Sequence, residues 1–374
     1  MGTHVGFVFH RRITVYVLTL ALSSGGMLDA QARSQPCGPL KEVASLKMTP
    51  LPDGSRMSIP LTINGTPVPL LVDTGAGMSS LTSPAATMLG IRLRDSAAMR
   101  LVNEDGADVH RYYVADRFQL GQLTAKNIPF IQSSDIDEAR VSGTVGPDLM
   151  VRYDVEMDFS EQQLTYFSQD HCPGHVVHWP NDAVTQVPIR IAARARDYPP
   201  AMLPDGAGSL SQDFVDMAIA LANRTPILGT DIRAQVMLDG HSFLANIDTG
   251  LDISTINSAA AQEYFDVPLA SHQSDVPQTH QDLPAQASPG TEAVVVTARR
   301  DQHRFHTLTF GGVTVVNPLF VLTGPARARR AGEPASPDIT IGMNVLRKLH
   351  LYFAFGEQML YVSTAAGQAD TEEK

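Results

Sequence analysis

The chain has 374 residues, of which 43% are hydrophobic and 18% are charged, so it can bury a substantial core and is long enough for two domains. Its formal net charge of −11 argues against a nucleic-acid-binding protein, because such a surface needs clustered Lys and Arg side chains to neutralise phosphates. We therefore expect no nucleic-acid partner.

Residues 1–32 have the pattern of a secretory signal peptide. Arg11 and Arg12 precede an apolar run that is too short to cross a bilayer, and the sequence AQA at residues 30–32 supplies the small residues of a cleavage site. No other segment is long and apolar enough to span a membrane. We expect an exported mature protein, located in a periplasm or outside the cell.

Export makes a disulfide possible, since the chain has two cysteines and an oxidising compartment permits a bridge. Cys37 and Cys172 lie just outside the two ends of the first repeat described below, and we expect them to pair. Around Cys172, the residues His171, His175 and His178 suggest a metal site. The Pro-Gly pair among them breaks the helical face that would align these side chains, so we expect no metal there.

An internal repeat lies between the two halves of the chain. A shift of 175 residues aligns residues 61–86 with 236–261, and 8 of these 26 positions are identical. Each copy begins with a turn pair, Asn-Gly or Asp-Gly, which supplies the positive φ angles of a tight hairpin. Asp73 and Asp248 each follow the turn glycine by eight residues, at the predicted end of a strand.

A second shared block aligns residues 143–167 with 339–363 and places Gly146 opposite Gly342. The offset is now 196 residues, so the second copy is 21 residues longer between its aspartate and this glycine. We assign the extra length to residues 269–290, which are rich in Pro, Gln, Ser and His and are typical of an exposed loop.

Further strand-turn-strand units lie between the shared blocks, so β structure dominates both halves. The predicted organisation is a first lobe at residues 45–170, a connector at 171–227 and a second lobe at 228–365. Residues 211–222, within the connector, have helical spacing but are also compatible with a pair of strands.

The duplicated aspartates suggest chemistry as well as structure. One Asp at a strand end is usually a turn former or a helix cap, but a turn needs only a small polar residue and does not explain two carboxylates. If the halves face each other about a pseudo-twofold axis, Asp73 meets Asp248. Two carboxylates in contact cannot both stay ionised, so they share a proton and provide one base and one acid at the same pH.

The residues that follow each aspartate also acquire roles in this arrangement. Thr74 and Thr249 can hydrogen-bond across the interface and hold the two loops rigid. Gly75 and Gly250 let backbone amides approach the carboxylates.

The paired D-T-G motifs, each followed by a strand-rich stretch and by an apolar-Gly pair at residues 145–146 or 341–342, resemble the pepsin and retropepsin class of aspartic peptidases. The resemblance covers residues 45–363 and is closer to exported bacterial retropepsin-like lobes than to pepsin itself. It implies an all-β, two-lobed fold with pseudo-twofold symmetry, in which Asp73 and Asp248 are the catalytic dyad. Thr74 and Thr249 would be the threonines that lock the dyad loops together.

This resemblance implies an endopeptidase that binds a polypeptide as an extended strand between the lobes and needs no cofactor. Both halves lie on one chain, so we expect a monomer. The chain departs from the family at Ala76, where the pepsin branch has a serine, and at Leu251, where a small residue is usual.

A hairpin flap over the substrate is also implied by the resemblance. By position, residues 102–110 are the candidate in the first half, with Glu104, Asp105 and Gly106 near its tip. The counterpart in the second half falls within residues 284–304.

Two other functions remain compatible with the sequence. A non-catalytic peptide-binding or regulatory protein could keep the cleft without turnover, although the presence of both aspartates and both threonines argues against such decay. A metal-dependent hydrolase would need His beside its carboxylates, and neither D-T-G loop has one nearby in sequence.

Overall fold

The structure is a computed structural model that describes residues 37–52, 54–95, 101–102, 108–109, 111–133, 141–180, 183–193, 230–268, 301–324 and 338–365. Four sequence predictions fall wholly on residues outside this part of the chain: the signal peptide at 1–32, the flap tip, the segment at 211–222 and the long loop at 269–290. Most of the flap counterpart at 284–304 also lies outside it. Within the described ranges, no helix is both long and apolar enough to cross a membrane.

Short strands make up most of the first half. They are β1 (Glu42–Lys47), β2 (Thr49–Pro50), β3 (Met57–Ile63), β4 (Thr66–Val72), β5 (Ser80–Leu81), β6 (Arg94–Asp95), β7 (Leu101–Val102), β8 (Asp108–Val109), β9 (Arg111–Ala115), β10 (Phe118–Leu120), β11 (Leu123–Ala125), β12 (Ile128–Gln132), β13 (Gly143–Val145), β14 (Asp154–Asp158) and β15 (Gln163–Phe167). A helix at Ser83–Met88 and a 3-10 helix at Pro147–Leu149 interrupt them. Ten of the strands form a sheet, in which nine follow the order β11-β10-β3-β4-β13-β5-β12-β9-β6 and β2 pairs with β3.

The second half repeats this plan. Its strands are β16 (Thr185–Ala193), β17 (Thr230–Leu238), β18 (His241–Ile247), β19 (Thr255–Asn257), β20 (Gln302–Arg304), β21 (Thr307–Phe310), β22 (Val313–Val316), β23 (Leu319–Thr323), β24 (Ile339–Ile341), β25 (Leu349–Ala354) and β26 (Met359–Thr364). Helices lie at Ser258–Phe265 and Met343–Leu346.

Strand order and direction are the same in the two halves. The series β3-β4-β13-β5-β12-β9 corresponds to β17-β18-β24-β19-β23-β20. In both series the second strand is parallel to the third, the third antiparallel to the fourth, and the fourth parallel to the fifth. The predicted all-β, two-lobed fold with pseudo-twofold symmetry is confirmed.

The hairpin before each aspartate forms at the predicted turn. Asn64 and Gly65 have φ angles of 52° and 89°, and Asp239 and Gly240 have φ angles of 44° and 84°. Two successive positive φ angles are those of a type I′ turn, whose twist matches the flanking strands. This turn fixes the register of each hairpin, and therefore which residues of the outgoing strand face the core.

A six-stranded part of a 14-stranded sheet, in the order β1-β15-β14-β25-β26-β16, joins the two halves and continues through β17 into the second half. Its middle pair is formed by β14 and β25, one from each half, with Val155 opposite Phe353. The sheet includes Thr185–Ala193, which falls within the segment predicted as a connector. Residues 185–193 therefore belong structurally to the second half, where β16 is the counterpart of β1.

One face of this central sheet packs into a core shared by both halves. Val155 and Met157 of β14 and Leu351 and Phe353 of β25 are completely buried in it. Because these side chains come from adjacent strands of different halves, apolar burial itself holds the halves together.

A strap at residues 171–180 covers the opposite face of the sheet. The predicted disulfide between Cys37 and Cys172 is present in the structure and fixes the start of this strap. Val176 is completely buried among aromatic side chains of the central sheet. The ring of Trp179 stacks on His350 of β25, with ring centroids 4.3 Å apart.

Carboxylate–histidine pairs hold the strap to the sheet. His171 Nε2 lies 2.6 Å from Asp154 Oδ2, and His178 Nε2 lies 3.5 Å from Glu156 Oε2. Glu156 also contacts His350, with Oε1 2.8 Å from Nε2. Two of the three strap histidines considered as metal ligands, His171 and His178, thus each contact a carboxylate of β14.

These pairs predict a pH-dependent contribution to stability. Burial alone would raise the pKa of Glu156, but its bonds with His178 and His350 outweigh this and lower the pKa to about 2. The Glu156 bond raises the pKa of His178. The carboxylate therefore stabilises the fold above its ordinary pKa of 4.5 and loses this effect as the pH falls through about 2, while the His178 contribution is lost as the pH rises through its raised pKa.

We expect Glu156→Gln to lower the free energy of unfolding by about 2–3 kcal/mol at about pH 5.5. The loss should shrink at about pH 2 and at about pH 8, as measured by denaturant unfolding. Glu161→Gln, at an exposed carboxylate, is the matched control. An equal loss at all three pH values would mean that the charge of Glu156 is not what holds the strap.

Candidate active site

Each aspartate of the repeat directly follows a buried strand and is held by its backbone. The Asp73 N–H donates to the carbonyl of Val145 at 3.0 Å, and the Asp248 N–H donates to the carbonyl of Ile341 at 3.0 Å. The accepting strands, β13 and β24, run parallel to β4 and β18. The two apolar-Gly elements noted in the sequence therefore lie directly behind the two aspartate loops.

Backbone amides bind each carboxylate from within its own loop. Asp73 Oδ1 accepts from the N–H groups of Gly75 and Ala76 at 2.9 and 2.8 Å. Asp248 Oδ1 accepts from the Gly250 N–H at 2.9 Å. These bonds fix the orientation of both carboxyl groups, and both aspartates are half-buried and thus accessible from solvent.

Each carboxyl group also lies against the glycine of the other loop. A β-carbon added to Gly75 would overlap the carboxyl of Asp248, and one added to Gly250 would overlap the carboxyl of Asp73. The contact is reciprocal, as the repeat predicts for residues that meet across a twofold axis. Asp73 and Asp248 are therefore brought together at one site between the two loops.

Four hydrogen bonds between Thr74 and Thr249 and their surroundings lock the loops together. The Thr74 N–H donates to Thr249 Oγ1 at 3.0 Å, and the Thr249 N–H donates to Thr74 Oγ1 at 3.1 Å. The Thr74 hydroxyl donates to the Ile247 carbonyl at 2.7 Å, and the Thr249 hydroxyl donates to the Val72 carbonyl at 2.8 Å. Both threonines are buried, so each bond is shielded from water.

A second layer of polar contacts beneath the loops was not assigned a role from the sequence. Ser79 donates through its N–H and its hydroxyl to Asp148 Oδ1, at 2.7 and 2.8 Å, and its Oγ accepts from the Gly146 N–H at 2.9 Å. Ser79 and its counterpart Ser254 are among the identical positions of the repeat. Their partners could not be read from it, because they differ between the two copies.

The second loop has the same layer with an amide in place of the carboxyl. Ser254 donates through its N–H and its hydroxyl to Asn344 Oδ1, both at 2.8 Å, and its Oγ accepts from the Gly342 N–H at 3.0 Å. Leu251, the bulkier residue in this loop, is half-buried. The carbonyl of Leu251 accepts from the Met343 N–H at 2.8 Å.

The flap candidate is described only at its base. Strands β7 and β8 pair as an antiparallel hairpin, with Leu101 opposite Val109 and Val102 opposite Asp108. The tip residues Glu104, Asp105 and Gly106 lie outside the described residues, as does most of the counterpart predicted at 284–304.

The chemical capacity of the site follows from its two carboxyl groups. Among the described residues, no group of three or more His, Cys, Asp or Glu side chains is arranged to hold a metal ion. Two carboxyl groups in one site favour a shared proton. The pair then offers a proton acceptor and a hydrogen-bond donor within the same site.

Comparisons with known proteins find a family model that matches the part of the chain carrying the first aspartate loop. Residues 59–149 match the model of a family described as aspartyl protease. The matched segment contains the first aspartate, its threonine and glycine, and Gly146. The predicted resemblance to aspartic peptidases is thereby confirmed. No curated protein matches the chain.

Several solved structures are similar to this chain. A retropepsin-like aspartic protease from Rickettsia conorii is 20% identical, with a TM-score of 0.27, over 34% of this chain and 92% of its own. An aspartic proteinase from Irpex lacteus is 11% identical, with a TM-score of 0.43, over 88% of this chain and 99% of its own. Basic 7S globulin from soybean is 10% identical, with a TM-score of 0.42, over 88% of this chain and 95% of its own.

Proposed function

We propose that this chain is an aspartic endopeptidase, which hydrolyses peptide bonds with a water molecule activated between Asp73 and Asp248. The observation that carries the proposal is the reciprocal contact in which each carboxyl group lies against the glycine of the opposite loop. A turn-forming or capping role would not require the carboxyl of either aspartate to reach across to the other loop.

Catalysis starts with one proton shared by the two carboxyl groups. The ionised group accepts a proton from the water molecule, and the oxygen of this water attacks the carbonyl carbon of the scissile bond. The protonated group donates its proton to the carbonyl oxygen and so neutralises the charge that develops there. The product of this step is a tetrahedral diol, with no covalent bond to the protein.

Collapse of the diol completes the reaction. The pair donates its proton to the peptide nitrogen and accepts a proton from one hydroxyl group of the diol, the carbon–nitrogen bond breaks, and a carboxyl group and an amine leave. The pair regains one shared proton for the next cycle. The threonine bonds assist because they keep both carboxyl groups in place without reorganisation during the reaction.

The substrate in this proposal is a polypeptide bound as an extended strand. An extended peptide presents its backbone N–H and C=O groups to both loops and to a hairpin above them. We assign this covering role to the flap candidate at residues 102–110, whose base is the β7–β8 pair. Both aspartates come from one chain, so a monomer supplies a complete site.

Export is part of the proposal. The Cys37–Cys172 disulfide is compatible with an oxidising compartment, and residues 1–32 have the pattern of a signal peptide. We infer that the active form begins after residue 32 and acts in a periplasm or outside the cell. The two lobes at 45–170 and 228–365, the second together with residues 185–193, would then both be present in the mature protein.

The test is cleavage of an unstructured protein by the chain from residue 33 onward, from acid to neutral pH. We expect cleavage that a statine-containing peptide inhibits and that a chelator leaves unchanged. Failure to cleave at every pH, combined with binding of the same polypeptide, would instead favour the non-catalytic peptide-binding function. Loss of cleavage with the chelator would favour a metal-dependent hydrolase.

A further inference from the structure

The two aspartate loops, residues 73–79 and 248–254, are held from below by different side chains at equivalent positions. Asp148 accepts both hydrogen bonds from Ser79, and Asn344 accepts both from Ser254, with distances that agree within 0.1 Å. The amide of Asn344 cannot ionise. The carboxyl of Asp148 can, so only the first loop rests on a group whose charge depends on pH.

Backbone contacts make the first loop more dependent on this side chain. In the second loop, the N–H groups of Met343 and Asn344 donate to the carbonyls of Leu251 and Asp252, at 2.8 and 2.9 Å. The residue equivalent to Met343 is Pro147, which has no N–H to donate. The first loop therefore lacks one of the backbone contacts that hold the second, and Asp148 carries more of its support.

The surroundings of Asp148 disfavour its charge. Burial raises the pKa of Asp148 to about 6, even though the bonds from Ser79 act in the opposite direction. The side chain of Tyr166 lies close enough for the Asp148 charge to raise the tyrosine pKa.

Ionisable groups on the neighbouring elements offer Asp148 no charge partner among the described contacts. The phenol of Tyr153 lies next to Tyr166, with ring centroids 5.8 Å apart. Strand β17 packs against the 3-10 helix that carries Asp148. Its charged residues Asp231 and Arg233 pair with each other, at 3.1 Å.

We propose that Asp148 is a positioning residue that makes the support of the first aspartate loop pH-dependent, while Asn344 supports the second loop equally at every pH. When protonated, Asp148 presents a neutral oxygen to Ser79, as Asn344 does to Ser254. When ionised, it holds a poorly solvated charge beneath the loop, and opening of the loop to hydrate that charge becomes easier. The effect on cleavage rests on the proposed function, but the effect on stability does not.

Reciprocal exchange of the two side chains tests the proposal without reference to activity. An acid whose pKa is raised by folding stabilises the fold below its ordinary pKa and loses this effect as the pH rises through the raised value. The Tm of Asp148→Asn should therefore equal that of the wild type at about pH 4 and exceed it by about 3 °C at about pH 7.5. Asn344→Asp should show the opposite change, losing stability only as the pH rises. A Tm difference that stays constant with pH in both variants would overturn the proposal.

The pH profile of cleavage gives the second measurement. The ratio of kcat/KM for Asp148→Asn to that of the wild type should be close to one at about pH 4.5 and should rise several-fold above about pH 6. A purely structural role would change this ratio equally at all pH values, and that result would overturn the positioning role. If no variant cleaves any substrate, the proposed function fails, and the melting experiment still decides the role of Asp148.

Discussion

Replacement of either aspartate, in Asp73→Asn or Asp248→Asn, is expected to reduce kcat/KM by at least about 10³-fold. Either change leaves one carboxyl group, which cannot serve at the same time as proton acceptor and as proton donor. The two losses should be similar in size, because the groups act as one unit. The measurement is the cleavage rate of an unstructured protein at the pH optimum of the wild type.

The control for this pair of variants is a third aspartate, which lies in the loop of Asp248. Asp252 is exposed, and its carboxyl accepts from the adjacent Ile253 N–H at 2.8 Å. Asp252→Asn should therefore retain nearly full activity. If Asp248→Asn and Asp252→Asn behaved alike, the reaction would not depend on the pair of aspartates.

Substitution of either loop glycine is expected to have the next largest effect. A β-carbon on Gly75 would overlap the Asp248 carboxyl, so Gly75→Ala must displace the carboxyl group of the opposite aspartate. A displacement of about 1 Å in a catalytic group can cost about 10²-fold in rate. We expect Gly75→Ala and Gly250→Ala each to lose about 10²-fold in kcat/KM while the protein still folds, as monitored by circular dichroism and thermal melting.

Gly324→Ala is the matched control, since a β-carbon at Gly324 would meet no atom within 4 Å. It should leave both activity and stability nearly unchanged. Full activity in Gly75→Ala would mean that the two carboxyl groups do not need the close approach seen between the loops.

Much of this site could be predicted because its signals are local and occur twice. An Asn-Gly or Asp-Gly turn sets the hairpin, and the count from the turn glycine places Asp73 and Asp248 at strand ends. The duplication then predicts that equivalent residues meet, which the glycine contacts and the threonine bonds agree with. Thr74 and Thr249 could be assigned because the same argument about symmetry applies to them.

The support beneath the loops could not be predicted in the same way. Asp148 lies 69 residues after Ser79, and Asn344 lies 90 residues after Ser254. The pairing depends on how β13 and β24 pass behind the loops. An alignment of the two copies also hides it, because a carboxyl and an amide occupy the equivalent positions.

The contacts of the strap and the strands of the central sheet also could not be predicted from sequence patterns. The sequence argued against a metal site at the histidines near Cys172 but did not predict their contacts, and His178 contacts Glu156, which belongs to the sheet that joins the halves. Residues 185–193 were assigned to a connector because of the Pro-rich stretch that follows them. Their alternating pattern is that of a strand, and its partners, β17 and β26, come from distant parts of the chain.

The most direct measurement of the central claim is a crystal structure of the mature protein with a statine-containing peptide. The hydroxyl group of statine imitates the tetrahedral diol, and we predict that it lies within hydrogen-bond distance of carboxylate oxygens from both Asp73 and Asp248. A hydroxyl group that contacts only one of the two aspartates, or carboxyl groups that face separate cavities, would contradict the account.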